Sequence, residues 1–403
     1  MTNTIYGVES VVNKIATEVD KLISDGIISE EKDIYLYGLN KLSFAICTIL
    51  KKRKFRLTAY LVEEEDIILQ ALRNQKDFSS KYLNSVEDLI SIKKIEDFNK
   101  HNAIILIADT DYHIIKERLV NSDLSLKEFD DFYPVYDGKD DSFYKLIDKM
   151  ECMDITQIKK TEVEILSYIK DFCEKYKLRW WVCGGSLLGT IRHKGFIPWD
   201  DDIDIFMPWD DYCKFLELFP KKGKYIVLKR DYNNPSKYTH YFSKIIDTDT
   251  IVRSNLQTYR KIEAVWVDVF PLVGLPEDEK ERKKYFYTFH EYEKKMWEEF
   301  YSNDGKLSNF PYWFKLQDDL MGKYNFETST YVGTPGSYHI ENDYASRNVY
   351  EKTISMRFEN IMVNVPEGYN EYLINLFGMN YMIPPDESSI EKRHVIEAYR
   401  VSK

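Results

Sequence analysis

The first third of the chain alternates between apolar positions at helical spacing and short, continuous apolar runs. Helices are predicted at residues 5–24, 41–52, 85–90 and 112–121, and strands at residues 33–38, 56–62 and 101–109. Strands with continuous apolar runs are buried on both faces, and the helices between them cover those faces. Residues 1–150 are therefore predicted to form a Rossmann-like domain with a parallel, doubly wound sheet.

The first strand-to-helix turn of such a sheet is where the phosphates of a dinucleotide would bind. This turn begins with Gly38, but Asn40 and Ser43 stand where the G-x-G-x-x-G fingerprint has its other two glycines. The backbone then approaches a pyrophosphate less easily. A structural or regulatory module is favoured over a cofactor site.

Polar residues dominate positions 121–151, where Pro134 and Gly138 also occur. This composition is typical of a connection between domains. We place the boundary within residues 135–152, which gives an accessory domain at 1–150 and a second domain at 151–403.

The second domain opens with a helical pattern at residues 154–177 and a short apolar strand at 180–183. Gly184 and Gly185 permit a tight turn, and Ser186 is placed to cap a helix that Gly195 would end. Backbone N–H groups at such a helix start can bind an anion. Taken alone, the motif favours a plain turn with a capped helix over a phosphate site.

Three acidic residues alternate with apolar ones directly after this helix. Asp200, Asp202 and Asp204 are predicted to share one face of a strand, with Ile203 and Ile205 facing the core. Like charges are costly to bury together, and Mg²⁺ binding by oxygen ligands would relieve the repulsion. A solvated acidic edge is the alternative. Asp201 is predicted to point away from the other three or to lie at the bend before the strand, and not to bind the metal.

A lone acidic residue, Asp268, stands within a strongly apolar strand pattern at residues 263–271. A carboxylate in such a strand is costly unless it is paired or binds a metal. Beside the first acidic strand, Asp268 would complete a cage of three carboxylates. Hydrogen bonds from nearby backbone N–H groups are the alternative.

Other patterns are less specific. Lys244 lies in an apolar, strand-like run, where it could extend its amine to water or bind phosphate. Residues 277–300 predict a charged helix whose aromatic stripe serves packing. Residues 301–350 are rich in Tyr, Asn, Gly and Ser, and we interpret them as acceptor-binding loops.

Charge and cysteine content narrow the class of protein. The net charge of −11 argues against a protein that mainly binds nucleic acid. The five cysteines show no Cys-x-x-Cys spacing, which favours reduced thiols and a cytoplasmic location. No secretory signal pattern and no apolar run long enough for a transmembrane segment is present. Peripheral attachment at the inner face of the membrane stays open.

The region from Trp180 to Asp211 resembles the LicD family, whose relatives include fukutin and fukutin-related protein. The matching residues are 185–186, 188–195, 197–205 and 268–272. Weaker likeness covers Lys244-Ile245, Asp247-Thr248, Thr250 and a closing segment at 358–385. The resemblance spans about residues 155–398 and leaves out the first third. The family often has consecutive histidines after the closing Pro-Pro, where this chain has only His394.

The resemblance implies an α+β, nucleotidyltransferase-like catalytic domain. It also implies transfer of a phosphorylated alcohol such as phosphocholine from a CDP-linked donor to a glycan, lipid-linked or not. Such glycans belong to cell-surface polysaccharides, including lipopolysaccharide and teichoic acid. We expect Asp202, Asp204 and Asp268 to bind one or two Mg²⁺ ions and to carry catalysis. The alternative role of Asp268 is to orient and deprotonate the acceptor hydroxyl. Donor or acceptor binding is expected at Gly185, Ser186, Asp200, Arg192, Lys194 and Lys244.

Two alternatives to this enzyme stay open. A nucleotidyltransferase would use the same carboxylates but release pyrophosphate instead of CMP. A binding protein with a disused site would have no reason to keep three costly carboxylates.

Overall fold

The computed structural model describes residues 7–38, 41–62, 92–109, 112–136, 147, 149–254, 259–337, 343–385 and 395–401. The protein has a mixed α/β architecture, as predicted. The predicted helix at 85–90 and most of the turn that follows Gly38 lie outside the described residues.

The first part of the chain contains a five-stranded sheet in which all strands are parallel. Its strand order is β4-β3-β2-β5-β6, and the three central strands β3, β2 and β5 are almost entirely buried. This confirms the parallel sheet, while the Rossmann-like assignment stays a prediction. In chain order the elements are β1 (Gly7–Ser10), α1 (Val11–Ser24), β2 (Asp33–Tyr37), α2 (Lys41–Lys52), β3 (Leu57–Val62), β4 (Ile92–Lys94), β5 (Ala103–Ala108), α3 (Tyr112–Asn121) and β6 (Phe132–Tyr136).

The prediction of a helix beginning at residue 5 is wrong for residues 7–10. These residues form β1, and only α1 is helical. The second part of the chain provides an antiparallel partner strand for β1, with Gly7 opposite Ile262 and Ser10 opposite Tyr259. Pairing with a distant strand outweighs the local periodicity.

The second part of the chain contains the remaining elements. They are β7 (Met150–Cys152), α4 (Ile155–Tyr176), β8 (Trp181–Val182), α5 (Gly184–Arg192), β9 (Asp204–Pro208), α6 (Trp209–Leu218), β10 (Tyr225–Leu228), β11 (Ser243–Asp247), β12 (Thr250–Ser254), β13 (Tyr259–Glu263), β14 (Trp266–Leu275), α7 (Glu279–Ser302), α8 (Phe310–Met321), β15 (Tyr331–Gly333), β16 (Tyr344–Ser346), β17 (Thr353–Phe358), β18 (Ile361–Pro366), α9 (Tyr369–Phe377) and β19 (Val395–Val401).

The central sheet of this part is built around β14. Strands β10, β11, β14, β15 and β16 follow one another antiparallel, while β9 lies parallel to β14 and carries β8 on its other side. A second sheet has the order β1-β13-β12-β19-β7. The parallel contact of β9 with β14 is the one that positions the candidate site. The nucleotidyltransferase-like layout stays a prediction.

Helix α4 begins with a capping box. The Asp154 side chain accepts from the Gln157 N–H, and the Gln157 side chain accepts from the Asp154 N–H, both at 2.8 Å. The helix matches the pattern at 154–177 and buries one apolar face in the core of the second part. That core also holds Trp180 and Trp181, each 1% exposed.

Helices α7 and α8 join the two parts of the chain. Met296, Trp297 and Phe300 of α7, with Phe310 and Phe314 of α8, share a hydrophobic core with α1 and α2. The aromatic stripe of α7 therefore serves packing, as predicted. The interpretation of residues 301–350 as loops is wrong for residues 310–321, because α8 buries apolar residues at helical spacing there. It is also wrong for β15 and β16, which pair in the central sheet. The boundary within 135–152 stays a prediction.

Candidate active site

Two aspartates lie side by side where β9 and β14 run parallel. The strand register places Asp204 directly opposite Asp268. The Asp268 N–H donates to the Ile203 carbonyl at 2.9 Å, which fixes this register at the start of β9. Because paired residues project to the same face of a sheet, both carboxylates point the same way.

Asp202 joins these two carboxylates from the loop before β9. One oxygen each of Asp202, Asp204 and Asp268 lies within 4.8 Å of the others. Burial, together with the charges of Asp202 and Asp268, raises the pKa of the Asp204 carboxyl well above its ordinary value. Three crowded oxygen ligands suit Mg²⁺, which would relieve the repulsion that raises this pKa.

The predicted strand through Asp200, Asp202 and Asp204 is wrong in its extent. Only Asp204 belongs to β9, because the chain turns before it, with the Asp200 N–H donating to the Ile197 carbonyl at 3.0 Å. Asp202 therefore reaches the site from a loop, without strand alternation. Asp201 is buried and does not belong to the group of three converging carboxylates found among the described residues.

Glycines let helix α5 approach the acidic loop closely. A Cβ atom at Gly185 would lie 2.7 Å from Asp200 Oδ2, which is too close for the side chain as placed. At Gly184 the corresponding Cβ would lie 3.5 Å from Asp204 Oδ2, and Gly184 has a φ of +51° that other residues rarely adopt. The Gly-Gly pair thus brings the positive end of α5 against two of the carboxylates.

Ser186 does not cap α5, in contrast to the prediction. The helix begins at Gly184, its N-cap is Cys183, and Ser186 is buried within the first turn. The Ser186 Oγ accepts from the Asp204 N–H at 2.8 Å. Its observed contact is thus with the start of β9, where it helps to position Asp204.

Gly195 does not end α5 through a left-handed conformation. The helix ends at Arg192 with His193 as its C-cap, and the left-handed residue is Lys194, with a φ of +63°. A Cβ atom at Gly195 would lie 2.1 Å from Glu359 Oε1. Gly195 therefore serves close packing against the loop between β17 and β18.

Two of the three cationic residues at the end of α5 donate to backbone carbonyls. Arg192 donates to the Tyr381 carbonyl at 2.8 Å, and the exposed Lys194 donates to the Ile191 carbonyl at 3.0 Å. Burial and the neighbouring Arg192 lower the pKa of His193. Phosphate binding by Arg192 or Lys194 stays a prediction.

Lys244 is buried beside the third aspartate. Its Nζ lies 3.3 Å from Glu263 Oε1 and 3.7 Å from Asp268 Oδ1, and 3.7 Å from the centre of the Trp266 ring. Burial lowers the pKa of Lys244, but Asp268 and Glu263 outweigh this effect and leave the pKa raised. Of the two alternatives for Lys244, extension of the amine to water is wrong because the residue is only 5% exposed, whereas phosphate binding stays a prediction.

Two acidic residues near the site were missed by the sequence interpretation. Glu263 pairs with Lys244, and Glu162 of α4 is 1% exposed. Burial, followed by the charges of Asp202 and Asp201, raises the pKa of Glu162 well above its ordinary value. Glu162 can be recognised in the sequence as a buried acidic residue, because it lies between Ile158 and Leu166 on the apolar face of the helix.

Aromatic side chains form a second row beside the carboxylates. Phe206 and Phe270 are paired in the register, two residues beyond Asp204 and Asp268. The ring of Phe242, which precedes β11, lies 4.3 Å from that of Phe270. Phe206 is buried, whereas Phe242 and Phe270 are half-buried at the edge of the site.

Residues 177–311, which carry this carboxylate group, match the family described as "LicD/FKTN/FKRP, nucleotidyltransferase domain". The chain thus contains a LicD family domain, as the sequence motifs indicated.

The chain is 29% identical over 256 residues to the lipopolysaccharide cholinephosphotransferase LicD of Haemophilus influenzae. That alignment covers 59% of this chain and 94% of the relative. The chain is also 42% identical over 69 residues to the ribitol 5-phosphate transferase FKRP of human and of mouse. These alignments cover 17% of this chain and 14% of each relative.

Proposed function

We propose that this protein transfers a phosphorylated alcohol, such as phosphocholine, from a CDP-linked donor to a glycan acceptor of a cell-surface polysaccharide. The observation that carries the proposal is the convergence of Asp202, Asp204 and Asp268 within the LicD family domain. The names of the relatives support a phospho-alcohol transferase. Lipopolysaccharide is the polysaccharide in the name of the Haemophilus influenzae relative.

We assign Asp202, Asp204 and Asp268 to holding Mg²⁺ against the donor pyrophosphate. A Mg²⁺ ion bound there would neutralise phosphate charge and favour attack at the phosphorus. Trp266 Nε1 donates to Asp268 Oδ2 at 3.1 Å, and Lys244 lies beside Oδ1. Because both contacts orient the Asp268 carboxylate, we assign it to metal binding and not to proton transfer.

In the proposed reaction, the acceptor hydroxyl oxygen bonds to the phosphorus that carries the alcohol. The bond from that phosphorus to the bridging oxygen breaks, and CMP leaves with the bonding electrons. We assign the acceptor's proton to Asp200, which lies against Gly185 and outside the group of three ligands. The start of α5 would contribute its positive end to the phosphates, and Phe242 with Phe270 would lie beside the alcohol.

A donor screen tests this proposal. Purified protein with Mg²⁺ is supplied in turn with CDP-choline, CDP-ribitol, CDP-glycerol and CDP-ethanolamine, and slow CMP release is followed. We expect CMP from one donor and its loss in Asp202→Ala, with Asp319→Asn as the control because Asp319 is an exposed residue of α8. Pyrophosphate release from CTP or ATP, without CMP from any donor, would favour a nucleotidyltransferase.

A further inference from the structure

An apolar turn follows helix α9 on the surface of the second part. Residues 375–385 contain no charged side chain, in a chain that is 31% charged. Four large apolar side chains in this stretch face solvent: Phe377 at 39% exposed, Met379 at 77%, Met382 at 50% and Ile383 at 68%. An exposed group of this kind marks a contact surface. We call residues 377–383 the apolar turn.

The backbone of the apolar turn is held in a defined shape. The Tyr381 N–H donates to the Gly378 carbonyl at 3.2 Å, and the Ile383 N–H donates to the Asn380 carbonyl at 2.8 Å. Tyr381 itself points inward, with its hydroxyl donating to Asn370 Oδ1 at 2.8 Å. Anchoring this residue leaves Met379, Met382 and Ile383 directed away from the core.

Cationic and indole side chains lie at the base of the apolar turn. Arg192 donates to the Tyr381 carbonyl at 2.8 Å, and its guanidinium lies 6.0 Å from the centre of the Trp199 ring. Lys194, two residues further on, is exposed. Apolar side chains flanked by Trp and by Arg or Lys are the composition that proteins use at the boundary between lipid and water.

We propose that the apolar turn, with Arg192, Lys194 and Trp199 beside it, contacts an anionic lipid surface. Met379, Met382 and Ile383 would enter the boundary between headgroups and acyl chains, while the cations face lipid phosphates. The local cations Arg192 and Lys194 favour anionic lipid as the occupant, because their charges complement lipid phosphates.

The apolar turn lies close enough to the carboxylates for the lipid contact to bring an acceptor to the site. Helix α5 has its first residues against Asp200 and Asp204 and its last residue against Tyr381. Nine residues of helix span about 13 Å, at 1.5 Å per residue. An acceptor held in the lipid would therefore extend only a short distance from the lipid surface to reach the carboxylates. The lipid contact stands independently of the reaction proposed above.

Sedimentation with vesicles tests the contact on the full chain. Vesicles of phosphatidylcholine, with and without phosphatidylglycerol, are mixed with the wild type and with the double variant Met379→Asp/Ile383→Asp. We expect the wild type to sediment with the anionic vesicles and the double variant to bind them at least about tenfold more weakly. Lys194→Gln should weaken anionic binding by about fivefold and leave binding to neutral vesicles unchanged.

Met362→Asp is the matched control, because Met362 is 45% exposed on β18, outside the apolar turn. It should bind vesicles like the wild type. Failure of the wild type to bind either vesicle, or equal binding by the double variant, would overturn the proposal. So would a wild-type dimer in light scattering that the double variant converts to monomer, since a second copy would then cover the turn. CMP release from a soluble donor without vesicles should be the same in the double variant as in the wild type. This assay therefore distinguishes failure of the lipid contact from failure of the proposed reaction.

Discussion

Lys244 and Asp268 face each other across β11 and β14, with Lys244 Nζ 3.7 Å from Asp268 Oδ1. Glu263 approaches the same amine at 3.3 Å. One buried cation thus lies between a carboxylate of the proposed metal site and a carboxylate outside it. Lys244 offsets part of the negative charge of the site when no metal is bound.

Replacing Lys244 should destabilise the metal-free protein strongly. Lys244→Met leaves Glu263 and Asp268 without their buried cation, which typically costs about 3–5 kcal/mol. Unfolding in urea with EDTA measures this loss. The exposed Lys315→Met is the control, because Lys315 pairs only with the exposed Asp319 among the contacts described for it.

Added Mg²⁺ should then protect the Lys244→Met variant more than the wild type. A metal ion supplies positive charge to Asp268 and so replaces part of what the lysine provided. The rise in Tm between EDTA and saturating Mg²⁺ measures the effect. Equal rises in both proteins would mean that Lys244 and the metal act on separate groups.

Ser186→Ala should lower stability and impair donor turnover. The buried Ser186 Oγ accepts from the Asp204 N–H at 2.8 Å, and an unsatisfied buried N–H costs about 1–3 kcal/mol. Loss of this contact also frees the start of β9, so we expect kcat for CMP release to fall. Ser302→Ala on the exposed end of α7 is the control. Unchanged kcat with reduced stability would assign Ser186 to the fold alone.

Gly185→Ala should impair activity through Asp200. The added Cβ would lie 2.7 Å from Asp200 Oδ2, so that carboxylate or the start of α5 must move. A double-mutant cycle with Asp200→Ala distinguishes displacement of the Asp200 carboxylate from displacement of the start of α5. If the effect passes through Asp200, adding Gly185→Ala to Asp200→Ala should change kcat little further. Full additivity would instead mean that the helix start itself has shifted.

The sequence pattern predicted the elements well and the contacts between them less well. Asp268 was recognised because one carboxylate in an apolar strand has few explanations, and its pairing with Asp204 matched that expectation. The alternation of Asp200, Asp202 and Asp204 suggested a longer strand than exists. The hydrogen bond from Asp200 N–H to the Ile197 carbonyl, which turns the chain there, has no alternating signature in sequence.

Residues that act through partners distant in sequence were harder to assign. Ser186 follows two glycines and so looked like a cap, yet its partner is the backbone of Asp204. The buried partners of Lys244 also lie on other strands: β11 pairs with β14 to place Lys244 opposite Asp268, and Glu263 at the end of β13 lies 3.3 Å from its amine. Periodicity within an element indicates which face is buried. It does not indicate which side chains of other elements pack against that face.

Glu162 should make the metal-free protein less stable as the pH rises. Burial, and then Asp202 and Asp201, raise its pKa well above the ordinary value, so the folded state keeps a proton that the unfolded state loses above about pH 4.3. Because the folded state binds more protons, stability falls with rising pH until the raised pKa is passed, by at most about 1.4 kcal/mol per pH unit. Glu162→Gln cannot ionise and should remove this fall. In EDTA, the variant should match the wild type near pH 4 and exceed its urea midpoint at pH 8. Glu217→Gln, at an exposed position of α6, is the control and should follow the wild type throughout. Parallel pH profiles for Glu162→Gln and the wild type would mean that Glu162 is ionised in the folded protein.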